Sequence, residues 1–261
     1  MTYLPISQTV KSLLAALAFA LLSSVALANE GGELIAPSGA NVDDQQSLQR
    51  GAKYFVNYCM SCHNLKYMRY SRLAADLDLS EQQVMDALNP GGNKFGETMT
   101  VAMAPADAAL WFGKAPPDLS LTTRYREGGA DWVYSYLKSF YVDPKRPSGW
   151  NNLVFPSASM PHVLWELQGT QAAVYDTVSA KNAEGELLQT QKFSHFELIK
   201  PGKLDAKAYD QVARDIATFL EYVGEPAVFQ RKDVGWKVIL FLAFFTFITW
   251  LLKKEYWSDV H

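Results

Sequence analysis

The sequence predicts a mainly α-helical exported domain with long loops and a small β-hairpin, held by one C-terminal transmembrane helix. Three observations predict it. Apolar residues recur at helical spacing near residues 42–58 and 205–223, with polar capping residues at their starts and Pro226 beyond the second. Between them, Asn89-Pro90-Gly91-Gly92, Ala115-Pro116-Pro117, Asp143-Pro144 and Pro147-Ser148-Gly149 break regular structure into loops. An apolar run from Val234 to Leu252, interrupted only by Lys237, closes the chain. With 261 residues, 49% of them hydrophobic, there is enough apolar material for a real core in one large or two small domains.

The elements follow in order. Residues Leu13 to Leu27 are apolar except for Ser23 and Ser24, and Ala26-Leu27-Ala28 is a small-x-small cleavage site before Asn29. The run is short for a membrane anchor, and an Arg-rich presequence is absent. Residues 1–28 are therefore read as a removable export signal of a bacterial protein bound for the periplasm, although Lys11 alone supplies its positive flank. Gly31 to Asn41 reads as an extended arm. A helix follows from Val42 to Tyr58, with Asp43 or Asp44 at its start and Leu48, Ala52, Phe55 and Cys59 along one face. Ser80 caps a short helix to Leu88, and another helix is expected from Gly129 to Phe140. Residues Ala173 to Leu198 alternate like strands around Asn182-Ala183-Glu184-Gly185, which predicts the hairpin. The last helix of the exported domain runs from Asp205 to Val223, with Tyr209, Val212, Ile216, Phe219, Leu220 and Val223 on one face.

The final apolar run covers 19 residues, roughly 28 Å as a helix, which matches the hydrocarbon layer. Lys237 can snorkel, and Trp236, Trp250, Tyr256 and Trp257 suit the membrane interfaces. The expected plan is a domain over residues 29–231, an anchor over 232–253 and a cytoplasmic tail over 254–261.

The net charge of −3 excludes a basic nucleic-acid binder. Residues 29–231 hold 19 Lys and Arg against 24 Asp and Glu, a balance of −5. Such a surface suits a basic soluble partner, and it equally suits a merely solvated domain.

The chain has two cysteines, three positions apart, in Cys59-Met60-Ser61-Cys62-His63. Cys-x-x-Cys-His is the attachment pattern of c-type haem: two thiols add to the vinyl groups, and the adjoining His supplies an iron ligand. A thioredoxin-like redox pair would need no adjacent His and would sit in a βαβ unit. A zinc site would need more ligands, and only His162 and His195 remain in the exported domain. The expected fold is therefore a helical haem domain of cytochrome c type.

The sixth iron position decides the chemistry. A thioether there favours electron transfer, whereas an open position would favour gas sensing or peroxidase chemistry. Of six methionines in the exported domain, Met60 lies inside the attachment loop, Met68 is too close to His63, and Met85 sits in a helical pattern. Met99, Met103 and Met160 remain. Met160, between Phe155-Pro156 and Pro161 in a rigid loop, is favoured, with Met103 second and His162 a further ligand type.

The chain resembles the cytochrome c1 family over nearly all of its exported part and anchor. The resemblance rests on Arg50-Gly51 and Tyr54 before the haem motif, and on Ala115-Pro116-Pro117-Asp118-Leu119-Ser120 after it. It extends through Arg124-Tyr125-Arg126-Glu127-Gly128-Gly129, Asn151-Asn152, Phe155-Pro156 and Met160-Pro161, then the helix to Glu225-Pro226 and the single terminal span. It implies that Met160 is the sixth ligand, that Arg126 pairs with a haem propionate, that Pro116 and Pro117 line the crevice, and that Trp132 lies near the haem. Arg is suited to such a carboxylate because it stays charged and binds bidentately; the alternative for Arg126 is a surface salt bridge, and for Trp132 a core position.

The implied role is the haem subunit of a quinol–cytochrome c reductase. Its implied partners are a cytochrome b, a Rieske iron–sulfur protein that donates electrons and a soluble cytochrome c that accepts them; the chain itself makes and breaks no bonds. The rival classes are a membrane-anchored cytochrome c serving another oxidase or dehydrogenase, and a haem sensor or peroxidase. Two departures stand out. Many relatives carry Met-Ala-Pro-Pro where this chain has Met160-Pro161-His162-Val163, and the extra cysteine pair of some relatives is missing.

Overall fold

The computed structural model describes residues 34–181 and 187–258. The expected export signal, and the turn residues of the expected hairpin, lie outside the described residues. The domain is organised on two helices, α1 (Gln45–Tyr58) and α8 (Ala206–Gly224), which make its most extensive helix–helix contact.

Asp44 fixes where α1 begins, because its side chain accepts the Ser47 N–H at 3.0 Å, so the helix starts at Gln45 rather than at Val42. Asp205 does the same for α8, accepting from Ala208 N at 2.7 Å. The α8 face expected from the sequence is the buried one: Tyr209, Val212, Ile216, Phe219, Leu220 and Val223 all lie in the core. Phe219 meets Phe55 of α1 with ring centroids 5.6 Å apart.

A charged group also crosses this interface. Asp215 is 0% exposed, and its carboxylate accepts from Ser47 Oγ at 2.6 Å, Arg50 Nε at 2.7 Å, Arg50 Nη2 at 2.9 Å and Gln211 Nε2 at 2.8 Å. Removing the carboxylate leaves a buried hydroxyl and a guanidinium without their acceptor. Arg50 keeps access to water, which limits the loss. Asp215→Ala is expected to cost about 2–3 kcal/mol, read as a lower urea midpoint of the haem-loaded chain; an unchanged midpoint would contradict this.

Between the two helices the chain makes short elements: β1 (Leu65–Arg69) antiparallel to β2 (Thr98–Met99), α2 (Tyr70–Asp76) and α3 (Glu81–Ala87). Ser80 and Gln83 form a reciprocal capping box at the start of α3. Helix α4 (Pro105–Phe112) lies where the sequence reading assigned no element; Pro105 sits in its first turn, where a missing N–H costs nothing. Then come α5 (Thr122–Tyr125) and α6 (Gly129–Lys138), followed by β3 (Phe140–Val142) paired with β4 (Trp150–Asn152) and the short α7 (Trp165–Gln168). Helix α6 ends before the expected Phe140, because that residue opens β3.

The hairpin is larger than expected. Strands β5 (Gly169–Lys181) and β6 (Leu187–Pro201) pair from Gly169↔Pro201 to Lys181↔Leu187. Register shifts between Thr170 and Gln171 and between Val174 and Tyr175 break the two-residue alternation there, which hides the first part of β5 from a pattern reading. The terminal helix α9 (Val228–Tyr256) is one 29-residue helix, about 43 Å long. It starts earlier than the expected 232–253 span, and its first turn is tied down by Arg231 to Glu225 at 2.6 Å and Lys232 to Asp43 at 2.6 Å. It is long and apolar enough to cross a membrane, and none of its most apolar stretch packs inside the domain, so it is not a core helix.

Candidate haem site

The end of α1 winds directly into the attachment motif. Cys59 N and Met60 N both donate to Phe55 O, at 2.8 and 2.9 Å. Cys62 N and His63 N then donate to Cys59 O, at 3.1 and 2.9 Å, so His63 follows Cys59 by one tight turn. Cys59 is buried and Cys62 half-buried, and the two form no disulfide with each other. Met60 turns into the core.

His63 is held by the Pro-Pro segment. Its Nδ1 lies 2.7 Å from Pro117 O. A carbonyl only accepts, so Nδ1 carries the hydrogen and Nε2 is left with its lone pair. Burial lowers the imidazole pKa more than the Pro117 bond raises it, which favours the neutral form that can ligate a metal. The segment itself is clamped: Asp118 accepts from Lys66 N at 3.0 Å and Ser120 N at 2.9 Å, and Leu119 N donates to Asn64 O at 3.0 Å. Pro117 thus acts through its carbonyl, while the Pro116 ring is half-buried beside it.

Met160 belongs to a second group of side chains that borders the same core. The loop that carries it is folded by Asn151 and Asn152. Asn152 Oδ1 accepts from Val154 N at 3.0 Å and Phe155 N at 2.9 Å, and its Nδ2 donates to Tyr136 O at 2.8 Å. Asn151 Oδ1 accepts from Ser157 N at 2.8 Å. The Tyr136 hydroxyl donates to Met160 Sδ at 3.5 Å. Partial burial holds that hydroxyl above the usual phenol range, although Arg126 pulls it the other way. The Tyr136 ring stacks on Trp132, 5.0 Å and 9° apart, and meets the edge of Phe140 at 5.0 Å.

Arg126 sits in a box of rings. Its guanidinium carbon is 4.6 Å from the Trp132 centroid, 4.9 Å from Phe155 and 5.5 Å from Tyr125. Its Nε is buried with no hydrogen-bond partner, and no ion pair to it forms among the described residues. A permanently charged fork with an unmet buried donor fits an anionic group such as a haem propionate. The surface salt bridge considered for Arg126 is not formed among the described residues. Trp132 is half-buried and serves as one wall of this box.

The rival ligands are placed as follows. Met99 is wholly buried opposite Leu65 in the β1–β2 pair, which explains it as packing; Met103 is half-buried before α4. His162 is 2% exposed, stacked on Phe140 at 5.1 Å and edge-on to Trp150 at 5.2 Å. Burial pushes its pKa down to about 4, so it is a neutral ring packed between Phe140 and Trp150. Sequence reasoning missed Tyr136 and the loop-folding work of Asn151 and Asn152. The adjacent amides gave the only signal, since paired Asn residues before Phe-Pro suit side-chain-capped turns.

The sequence matches the family model described as Cytochrome C1 family over residues 40–181 and 202–260. The chain belongs to the cytochrome c1 family. It is 48% identical to cytochrome c1 of Allochromatium vinosum over 244 residues, 93% of this chain and 97% of that protein. A Nitrosomonas europaea protein named ammonia monooxygenase gamma subunit is 41% identical, covering 94% of this chain and 97% of its own length. Cytochrome c1 of Rhodospirillum rubrum is 29% identical over 83% of each chain. As a cytochrome c1 the chain carries a single covalent haem c and serves as the electron-transfer haem subunit of the cytochrome bc1 complex, anchored in a membrane. The break in the family match, residues 182–201, takes in all of β6, so that strand lies outside the matched residues.

Proposed function

We propose that this cytochrome c1 takes single electrons from a mobile Rieske iron–sulfur protein and passes them to a soluble cytochrome c, beside a cytochrome b that holds its anchor. Quinol oxidation coupled to cytochrome c reduction is then the reaction of the whole complex. Bound haem c supplies the one-electron iron couple. The protein's part is to hold and tune it. Cys59 and Cys62 would give the two thioether links, His63 Nε2 and Met160 Sδ would ligate the iron, and Arg126 in its aromatic box would supply the counter-charge for a propionate. Pro116, Pro117 and Trp132 line the crevice. The observation that carries this reading is the His63–Pro117 bond: it commits Nδ1 to the protein and leaves Nε2 as the one nitrogen free for a metal.

The same reading puts the chain in a bacterial inner membrane. Residues 1–28 are removed on export, residues 29–231 lie in the periplasm, 232–253 form the anchor and 254–261 the cytoplasmic tail. Tagged full-length chain drawn from membranes is expected to bring down a cytochrome b and a Rieske protein with quinol-driven cytochrome c reduction. Recovery with a different oxidase, monooxygenase or dehydrogenase would refute the assignment, and the relative named as an ammonia monooxygenase subunit makes that comparison pointed.

The acidic balance of residues 29–231 predicts steering of a basic acceptor. Its reduction rate should fall steeply as salt rises toward ~0.15 M, where the screening length is about 8 Å. A rate indifferent to ionic strength would remove steering from the account.

A further inference from the structure

We infer that Tyr136 is a tuning residue for the iron couple, donating its hydroxyl hydrogen to the Met160 thioether and so raising the reduction potential. The inference rests on the reading of Met160 as axial ligand.

The geometry is specific. Tyr136 Oη lies 3.5 Å from Met160 Sδ, a normal length for an O–H donor to a weak sulfur acceptor. The donor has little freedom to turn away. Its ring is pressed on Trp132 and against Phe140, and its backbone carbonyl is held by Asn152 Nδ2 at 2.8 Å and Ser139 Oγ at 3.3 Å. Asn152 also folds the loop that carries Met160, so one buried amide sets both donor and acceptor.

The sign follows from sulfur chemistry. A thioether gives lone-pair density to iron, and ferric iron depends on that donation more than ferrous iron does. A hydrogen bond to the same sulfur withdraws density, weakens the ferric form and favours the ferrous form. Hydrogen bonds of this kind around an axial ligand are an established means of setting a haem potential. Tyr136 is a positioning and tuning residue, since it acts through Met160.

The test uses the full-length, haem-loaded chain in detergent, with optical redox titration and the weak far-red sulfur-to-iron absorption of the oxidised form. Tyr136→Phe keeps the ring in its stack and removes only the hydroxyl. It should keep the far-red absorption and lower the midpoint, so that the ratio of reduced to oxidised haem at a fixed poise falls on the order of three- to tenfold, where one tenfold step in that ratio is about 59 mV. Tyr134→Phe is the control: its hydroxyl bonds Asp210 rather than the thioether, and its midpoint should not move. A Tyr136→Phe midpoint that is unchanged or higher overturns the inference while leaving Met160 as ligand. An equal shift in Tyr134→Phe overturns it too, by making the effect one of general helix packing. Wild-type protein without the far-red absorption would instead overturn the Met160 reading, and the inference with it.

Discussion

Gly51→Ala is expected to cost the chain a large share of its stability, although the same change in an isolated helix is favourable. Glycine costs a helix about 1 kcal/mol relative to alanine, so the sequence alone marks Gly51 as a weak point in α1. The packing reverses the sign. A Cβ at Gly51 would overlap the Asp215 carbonyl oxygen and lie 2.7 Å from Phe219 Cβ and 2.8 Å from the Asp215 carbonyl carbon. The backbone atoms among these cannot swing aside as a side-chain tip can. Separating α1 from α8 would also strain the Phe55–Phe219 contact and the Asp215 hydrogen bonds. We expect a loss of about 3 kcal/mol or more, at the upper end for overpacking, against a total stability on the order of 5–15 kcal/mol. The readouts are the yield of haem-loaded protein and its urea midpoint. A Gly51→Ala protein of equal or higher midpoint would mean that the two helices are not packed this closely.

Met160→Ala carries the second large effect, on chemistry rather than folding. Met160 is half-buried in a loop held by Asn151 and Asn152, so the fold should survive its truncation. The iron would lose the sulfur ligand that Met160 supplies. Thioether ligation raises a haem potential, and axial ligands as a group span ≈ 0.8 V; the midpoint should fall by hundreds of millivolts, on the order of a quarter to a half of that span. The open position should bind carbon monoxide, and quinol-driven reduction of the acceptor should cease. A variant with unchanged midpoint would move the ligand role to Met103 or His162.

Much of this was legible in the sequence for physical reasons. Asp44, Ser80 and Asp205 mark helix starts because capping is a local bond between a side chain and the next turn. The α8 face was legible because burial imposes its period on nineteen residues. What failed was non-local or irregular. The bulges in β5 erased its alternation, and α4 hid among prolines. Tyr136 carried no local signal, since its tie to Met160 spans 24 positions of sequence. Asn152 bonds across the β3–β4 turn to the end of α6, which no local pattern encodes. Arg126 was legible as a charge but not as a cation enclosed by Trp132, Phe155 and Tyr125.

The most direct test of the account is the optical spectrum of the wild-type, full-length haem-loaded chain, oxidised and reduced, with and without carbon monoxide. The account predicts a six-coordinate c-type spectrum that carries the weak far-red sulfur-to-iron absorption when oxidised and does not change when carbon monoxide is added to the reduced form. A five-coordinate spectrum that shifts readily with carbon monoxide would contradict it and point to a gas-binding or peroxidase site.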